Sequence, residues 1–543
     1  MALRKERVFI FSDVNIFLVW FVVIGFVNGN IYVSFKPIKK VEALAVDGGR
    51  VLYAGDRAIV ESIVKMLGGS IVDLAGKTVL PGFIDSHIHI DELGMYLNML
   101  DLRNVRSVDE LKKRLEEYSK RVETLWILGF GWDQELFKEK RWPNRWDLDD
   151  VVSDRPVMLL RICMHVAVLN SRAMKITEVE SLESSNVVRD EKGIAIGVVK
   201  ENVLEYVKKK IRDSLSIEDY KKYLLDATRF IASQGITTAG FIGCSEKALK
   251  ALIELWSEKK LPIRVRVYLD ASSSLNVIDM VREAGLRKSF GDDYLRIMGF
   301  RIHADGSLGA RTAWLSKPYS DDPSTNGRPD IDIRDLRAVA KKVHDAGLQL
   351  AIHGIGDKAI DMILDVYQEL RDVVKARHRI EHASVVRPDQ IDKIAKLGIA
   401  LSLHPHFIIS DWWAKQRLGD ERIKWLYPFK TIAEKNTAIG FGSDSPVEPA
   451  NPWLAIYAAT TRGIYDNIPH ALDTKDEKLS IQEALHIHTY GSAYIMHEEQ
   501  NLGTLEKEKL ADFIVVDKDP LSIEEKELKN IKVLKTYISG KQV

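Results

Sequence analysis

The middle of the chain alternates between apolar segments and amphipathic segments that have helical spacing. Helix-like sequence such as DLRAVAKKVHDAG separates most of the apolar segments from one another. Apolar strands that alternate with helices form buried parallel sheets, and eight such units can close on themselves. The pattern therefore predicts an α/β fold with a (β/α)8 TIM barrel. Its eight predicted strands are TVLPGFID, GITTAGFI, PIRVRVYL, LRIMGFRIH, LQLAIHG, RHRIEHA, GIALSLHP and TAIGFGSD.

Both ends of the chain follow a different pattern, with short alternating strands and turns. The sequence Asp47-Gly48-Gly49 lies between two apolar runs and is a strong hairpin signal. Residues 503–521 and the last residues of the chain have the same character. We therefore expect residues 26–78 and 495–543 to form one small composite β-sandwich domain, and residues 79–494 to form the barrel domain.

Two segments lie outside this simple division. For residues 1–25 we expect an N-terminal extension or a start codon placed too early, because the apolar run from Ile16 to Val27 is too short to span a bilayer and no small-residue cleavage site follows it. A signal anchor is the remaining alternative. The chain between the first and second predicted strands is far longer than a βα loop. We interpret residues 92–215, with approximate bounds, as an insertion near the barrel mouth that acts as a lid or substrate wall.

The composition mainly excludes certain classes of partner. Lys+Arg and Asp+Glu are both 78, so no global positive field exists that would hold nucleic acid. The two cysteines, Cys163 and Cys244, lie in apolar, strand-like sequence, and we expect both to be buried in a reducing cytoplasm. The predicted partner is a small-molecule substrate, without nucleic acid or stable membrane association. A monomer and a homo-oligomer both fit the composition.

Histidine and aspartate stand at the ends of four predicted strands. His87 and His89 lie two residues apart at the end of the first strand, so an extended chain puts them on one face. The fifth strand presents His353, the sixth His382 and the eighth Asp444. A barrel gathers the carboxyl ends of its strands at one mouth, so these side chains predict one site for a divalent cation. Imidazole and carboxylate suit zinc, and also iron, manganese or nickel.

The order of these motifs resembles the amidohydrolase superfamily and, within it, amidohydrolase family 3, with the YtcJ-like proteins and N-substituted formamide deformylases. The resemblance covers nearly the whole chain from about residue 26, and it implies a barrel with a small sandwich and metal-dependent hydrolysis of a C–N bond. It also implies that Asp444 is the general base. The metal ligands implied by the resemblance are His87, His89, His353, His382 and Asp444. The motifs that carry it include PGFIDSHIH, RPVMLLRICMHVAVLNSRAM, GFRIHADGSLGARTA, IHGIGDKA, RIEHA and GTLEKEKLADFIVVD.

One position departs from the family pattern. Many relatives carry a lysine on the fourth strand that can be carboxylated to bridge two metals, whereas this chain has Arg301 there. Arginine is permanently charged and repels a second cation, so we expect one ion, most readily zinc, with two as the alternative. His303 shares the face of Arg301 and is a further candidate for a metal or substrate contact. Asp305 is expected to orient Arg301 or a helix start.

Four other side chains are candidates for contact with the substrate or for a position close to it. His165 and Asn170 match a family motif inside the insertion, and His404 and His406 end the seventh strand on one face. We assign His165, Arg301, His404 and His406 to substrate binding.

Two other functions of the protein stay open: an isomerase or lyase on the same metal barrel, and a metal-binding scaffold without catalysis.

Overall fold

Eight parallel strands form the central barrel of the protein, which the computed structural model describes over residues 23–271, 276–287, 290–435 and 437–543. Neighbouring strands follow one another in chain order, and each of the eight predicted segments overlaps one of them, so the predicted (β/α)8 barrel is confirmed. The barrel strands, numbered first to eighth below, are Phe83–Ile88, Ile236–Cys244, Arg264–Asp270, Leu295–His303, Gln349–Gly354, Arg379–His382, Ala400–Leu403 and Ile439–Phe441.

The segment TVLPGFID, predicted as one strand, forms parts of two. Thr78–Pro81 pairs with a strand from the C-terminal end of the chain, and the first barrel strand begins only at Phe83. Gly82 separates the two, and its N–H donates to the carbonyl of Asp512 at 2.9 Å. The continuous apolar pattern hides this change of sheet, because both halves are buried.

The first and eighth barrel strands meet at the mouth of the barrel. The backbone N–H of Asp444 donates to the carbonyl of His87 at 2.8 Å, and the N–H of His89 donates to the carbonyl of Ser445 at 2.9 Å. These two bonds join the loop after the eighth strand to the end of the first. The closing seam of the barrel therefore runs through residues of the predicted metal site.

Helices cover the outside of the barrel, and several begin at side chains that cap them. Ser216 and Ser480 both form capping boxes with an acidic residue three positions later, and Asp332 accepts the N–H of Arg334. Such caps satisfy backbone donors that have no partner inside the helix. The helices that follow or precede barrel strands include Ile217–Ser233, Glu246–Ser257, Asn276–Glu283, Ile333–Asp345, Asp357–Tyr367, Pro388–Leu397, Phe407–Ser410, Ala414–Arg422, Phe429–Glu434, Pro452–Thr461, Ile481–His486 and Ser492–Ile495.

The two chain ends together build a β-sandwich. One sheet has the order Arg50–Gly55, Ala43–Asp47, Ile24–Val27, Ser70–Asp73, and the other has the order Lys541–Gln542, Val533–Ile538, Phe513–Val516, Thr78–Pro81, Asn30–Phe35, Ile38–Val41. Phe26 from the first sheet packs edge-on against Phe513 from the second, with ring centroids 4.9 Å apart. The predicted hairpin is present, with Gly48 and Gly49 both at positive φ. Helix Arg57–Leu67 also belongs to this end of the chain.

The predicted N-terminal extension lies almost entirely outside the described residues. Residues 1–22 are not described, and the first strand begins at Ile24, inside the segment expected to precede the sandwich. Across the parts of the chain that the structure describes, no helix is long and apolar enough to cross a bilayer.

The insertion after the first barrel strand has a sheet and a core of its own. Its six strands lie in the order Val187–Arg189, Ala195–Lys200, Val166–Leu169, Val157–Arg161, Ile127–Trp132, Leu100–Asp101. Its helices include Ile90–Leu97, Val108–Ser119, Arg145–Asp149, Ser171–Thr177 and Glu201–Ser214. Trp132 and its neighbours form a buried cluster separate from the barrel core. The insertion is therefore a folded unit and not an extended loop.

Candidate metal centre

Histidine rings from the first, sixth and seventh barrel strands meet at the barrel mouth. The ring of His87 lies 5.1 Å from that of His382 and 4.7 Å from that of His404, measured between centroids. His382 and His404 are 4.5 Å apart, and His353 lies 4.4 Å from His382. Side chains from distant parts of the sequence thus share one buried cluster.

Asp444 joins this cluster from the eighth strand. Its Oδ1 lies 3.2 Å from Nε2 of His87 and 3.2 Å from Nε2 of His89. Burial alone raises the pKa of Asp444, but its contacts with His87 and His89 hold the pKa well below the usual value for a carboxyl group. The carboxylate is therefore ionised and stands beside imidazole nitrogens, as in a cation-binding site.

The ligand-type atoms form two groups that share His87. One group is His87, His89 and Asp444, and the other is His87, His382 and His404; within each group the atoms lie within 4.8 Å of one another. Two atoms bound to one zinc ion at about 2.1 Å can be up to about 4.2 Å apart. The groups are therefore close to the size that one cation requires.

Several buried nitrogens of the cluster have no hydrogen-bond partner among the described residues. They are Nε2 of His87, His382 and His404 and Nδ1 of His353. A buried polar atom without a partner is destabilising by about 1–3 kcal/mol, and clusters of such atoms are uncommon. The donor set consists of imidazole nitrogens beside a carboxylate, which is a ligand set that suits zinc and similar divalent ions. The residues present therefore fit a metal ion.

A buried carboxylate orients His87 from the opposite side of its ring. Nδ1 of His87 donates to Oε2 of Glu381 at 2.6 Å, and Arg379 donates to both oxygens of Glu381 at 2.7 Å. Burial raises the pKa of Glu381, but Arg379 and His87 outweigh it and set the pKa at about 2. With Nδ1 engaged in this way, Nε2 of His87 is directed at the cluster.

Two residues of the cluster have backbone conformations that residues other than glycine rarely adopt. His382 has a φ of 69° and Asp444 a φ of 59°, both in the left-handed region. Such strain persists only where the surroundings impose it, and it concentrates at functional sites. Asp85 helps to impose it, because its Oδ1 accepts the N–H of His87 at 3.1 Å and that of Ser443 at 3.0 Å.

His303 and His353 lie side by side on neighbouring strands. They occupy opposite positions in the register of the fourth and fifth strands, and their rings stack with centroids 4.7 Å apart. Nε2 of His353 donates to the carbonyl of Gly306 at 3.0 Å, which leaves Nδ1 unpaired. Burial and the nearby Arg301 lower the pKa of His303 to about 2 and that of His353 to about 4. Among the described residues, neither histidine belongs to the two groups that share His87.

Arg301 carries a buried positive charge close to these groups. Its Nη1 lies 3.2 Å from the position that a Cβ on Gly243 would occupy, and His89 borders the same position. Burial lowers the pKa of Arg301, opposed by the charges of Asp444 and Glu381. A guanidinium therefore occupies the part of the barrel where the family pattern has a lysine.

The side chain of Asp305 accepts hydrogen bonds from backbone N–H groups, and among the described residues it forms no hydrogen bond with Arg301. Its carboxylate accepts the N–H groups of Ile355, Gly356 and Trp314 at 3.0, 2.8 and 2.8 Å. Gly356 is the N-cap of helix Asp357–Tyr367. Of the two predicted roles of Asp305, the structure thus supports the one at a helix start.

The two histidines after the seventh strand have different environments. Nδ1 of His404 donates to the carbonyl of Gly442 at 3.1 Å, and its ring lies inside the cluster. His406 is more exposed, and its Nδ1 donates to the buried Glu448, which also accepts the hydroxyl of Ser410. His406 with Glu448 is thus an oriented imidazole at the edge of the site.

Two candidates in the insertion lie elsewhere than the cluster. The side chain of His165 is 69% exposed and its Nδ1 lies 3.2 Å from Glu201, so its predicted substrate contact stays a prediction. Asn170 is fully buried and caps helix Ser171–Thr177. The apolar run around His165 is a pair of strands joined by an exposed turn, which is why Cys163 is exposed; only Cys244 is buried as expected.

Sequence reasoning missed three partners of the site: Glu381, Gly442 and Glu448. Glu381 directly precedes His382, and a buried acidic residue beside a strand-end histidine was the available signal. The other two are recognisable only once the seventh and eighth strands are seen to be neighbours.

The fold and the histidine–aspartate cluster at its mouth define a (β/α)8 barrel with a candidate metal centre. The family model described as "Amidohydrolase family" matches residues 70–543, and the chain therefore belongs to the amidohydrolase family.

Individual relatives cover almost the full chain. The putative amidohydrolase YtcJ of Bacillus subtilis is 30% identical over 95% of this chain and 98% of its own length. The N-substituted formamide deformylase of Arthrobacter pascens is 24% identical over 95% of this chain and 97% of its own. The crystal structure of an uncharacterized metal-dependent hydrolase from Pyrococcus horikoshii is 43% identical with a TM-score of 0.83, over 93% of this chain and 99% of that one.

Proposed function

We propose that the protein hydrolyses a C–N bond in a small amide-like molecule at a single divalent cation, with zinc as the first choice. The observation that carries this proposal is the set of unpaired, buried Nε2 atoms of His87 and His382 beside the ionised carboxylate of Asp444. Polar groups that cluster in this way at a barrel mouth are usually functional.

In this proposal His87, His89, His382 and Asp444 hold the cation, and His353 stands next to His382 as a further nitrogen. A bound divalent cation supplies Lewis acidity, which lowers the pKa of water toward neutrality and polarises a carbonyl. The protein contributes the orientation of each ligand. Glu381 fixes the ring of His87 from behind, and such partners tune the affinity and basicity of the ligand that they contact.

Asp444 is the proposed general base and acid. Its low pKa keeps it ionised, so it can accept a proton from the attacking water and return it to the departing nitrogen. Arg301 lies close enough for its charge to act on Asp444, and it is placed to stabilise negative charge that develops on the substrate oxygen. His303 and His406 are the proposed polar contacts for the rest of the substrate.

The proposed substrates are amides, formamides, cyclic amides and aminated heterocycles. The name of the Arthrobacter relative supports the formamide group first, although fold alone does not fix a substrate. We further propose that the protein acts in the cytoplasm, since neither cysteine forms a disulfide.

The test begins with the metal content of the purified protein, measured by inductively coupled plasma mass spectrometry. The loaded protein is then incubated in ¹⁸O-labelled water with a panel of N-formyl and N-acyl amines, cyclic amides and aminated heterocycles. We expect one ion per chain, release of an amine or ammonia, and one ¹⁸O atom in the product. Turnover without ¹⁸O would identify an isomerase or lyase and would contradict hydrolysis.

Two variants sharpen this test. We expect D444N to lose turnover while it largely keeps its metal, because the amide can still offer an oxygen but cannot accept a proton. The matched control is D345N, since Asp345 is an exposed partner of Lys341 on an outer helix. Full activity of D444N would refute its role as the base.

A further inference from the structure

His404 has the orientation of a metal-binding histidine. Its Nδ1 donates to the carbonyl of Gly442 at 3.1 Å, so the proton is on Nδ1 and the lone pair is on Nε2. That Nε2 is buried and has no hydrogen-bond partner among the described residues. One ring nitrogen of His404 lies within 4.8 Å of one ring nitrogen of both His87 and His382. Histidine ligands commonly donate the second ring N–H to a carbonyl or carboxylate in this way.

The backbone that orients His404 belongs to the seam of the barrel. A Cβ on Gly442 would lie 2.7 Å from Cβ of His87 and 2.8 Å from its N. Only glycine therefore allows the eighth strand to pass so close to His87 while its carbonyl faces His404. The same glycine thus keeps the carbonyl that orients His404 next to the backbone of His87.

His404 and His406 differ in how far they are buried. His404 is 2% exposed, and its free nitrogen faces two other imidazoles. His406 is partly exposed and is held by Glu448. A buried nitrogen without a hydrogen-bond partner is destabilising, and a shared cation would remove that cost. The pair therefore divides into an inner histidine for the metal and an outer one for the substrate.

We propose that His404 is a ligand of the catalytic metal ion, which is held by Nε2 of His87, His382 and His404 with Asp444 as its carboxylate neighbour. This inference rests on the proposed function and replaces the predicted role of His404 in substrate binding. It also changes the ligand set proposed above, because His404 takes the place of His89, whose Nε2 lies 3.2 Å from Oδ1 of Asp444 and orients that carboxylate instead. Three imidazoles with one open position form a known arrangement of catalytic zinc. Because all three are neutral, they leave the charge of the cation uncompensated, and the nearby Arg301 disfavours a second ion.

The first test compares the full-length protein with its H404Q variant. Zinc affinity is measured by competition with a chromophoric chelator, and the number of coordinated imidazoles is measured by zinc K-edge X-ray absorption. We expect H404Q to bind zinc at least ~100-fold more weakly, a loss at the upper end of that seen for partners that only orient a ligand, and to show one imidazole fewer. Unchanged affinity and imidazole number would overturn the proposal.

A matched control is available in H488Q. His488 is also buried and its Nδ1 donates to a backbone carbonyl, that of Ile84, at 3.2 Å, but it does not belong to either group around His87. We expect H488Q to keep the zinc affinity and imidazole number of the unmodified protein. An equal loss in H488Q would mean that the effect of H404Q is structural, which would overturn the proposal.

A second variant, H404C, tests whether the side chain at position 404 binds the metal, by the appearance of a new absorption band. Cobalt(II) bound by a thiolate gives an intense near-ultraviolet charge-transfer band, and thiolates are good ligands for such ions. We expect this band in cobalt-loaded H404C and not in the cobalt-loaded unmodified protein, because neither Cys163 nor Cys244 belongs to the two groups of ligand-type atoms among the described residues. Cobalt bound without the band would overturn the inference alone, whereas an unmodified protein that binds no metal would refute the proposed function as well.

Discussion

Oε2 of Glu381 lies 2.6 Å from Nδ1 of His87, and neither side chain is exposed to solvent. Arg379 neutralises the charge of Glu381 through two bonds of 2.7 Å, and Tyr268 accepts from Arg379 at 2.9 Å. The ring of His87 is therefore held by a buried chain of hydrogen bonds that extends into the barrel. Since both groups of ligand-type atoms contain His87, this chain fixes the one side chain that they share.

Replacing Glu381 with Gln should weaken metal binding by the folded protein. The amide has a similar shape but lacks the charge that orients His87 and increases its basicity, and such changes lower metal affinity by about 10–100-fold. The measurement is a zinc competition titration on E381Q and on the control E369Q, because Glu369 forms an exposed ion pair with Arg337. Equal affinities in the two variants would contradict the role of Glu381.

Arg301 should restrict the site to one ion. A buried guanidinium repels a second cation, so we expect one tightly bound ion per chain after gel filtration, measured by mass spectrometry. The variant R301M should keep that ion with equal or higher affinity, because a like charge has been removed, and should lose at least ~10-fold in kcat because stabilisation of the developing charge is lost. Two tightly bound ions in the unmodified protein would contradict this prediction.

The barrel could be predicted from the sequence because its signal is repeated. Eight apolar segments separated by amphipathic helices leave few other arrangements, and every one of these segments overlaps a barrel strand. The boundary at Gly82 was missed because burial on both sides of it leaves no polar residue to mark where the chain changes sheets. The exposed turn at Cys163 was missed for a similar reason, since apolar residues continue through it.

The site was only partly accessible from the sequence. His87, His89, His382 and Asp444 stand at strand ends, where chain order and strand direction bring them together. The tautomer of His404 depends on a carbonyl of the next strand, and the orientation of His87 depends on Glu381. Such contacts depend on the register between neighbouring strands, which no single segment encodes.

Asn170 should contribute to stability and not to substrate binding. Its Oδ1 accepts the N–H groups of Val157 and Ala173 at 3.0 and 2.9 Å, and its Nδ2 donates to the carbonyls of Val152 and Arg155 at 2.9 and 2.8 Å. Loss of a cap and of buried bonds should make N170A less stable by about 3 kcal/mol.

The measurement for N170A is urea unfolding, paired with kcat and KM of the folded fraction. We expect both kinetic constants to stay within about 2-fold of the unmodified protein, since a 2-fold change is well under 1 kcal/mol. The control N186A removes a partly buried asparagine whose side chain donates to Oδ1 of Asn202 at the surface. A rise in KM for N170A at full folding would instead place Asn170 in contact with substrate.

A buried ion pair should help to hold the barrel and the sandwich together. Arg264, at the start of the third barrel strand, donates to both oxygens of Asp512 at 2.6 and 2.8 Å, and neither side chain has appreciable exposure. Asp512 also accepts the N–H of Ser539 at 2.8 Å. Removal of one partner leaves a buried charge uncompensated, so D512A should be less stable by about 3–5 kcal/mol.

Replacing both partners of this pair separates its net contribution from the penalty of an unpaired charge. In the double variant R264M/D512A no charge is left buried, so we expect it to recover at least half of the stability lost in D512A. The exposed pair of Lys341 and Asp345 gives the comparison, and D345A should change stability by less than about 1 kcal/mol. A double variant no more stable than D512A would mean that Arg264 and Asp512 stabilise the junction through other contacts than each other.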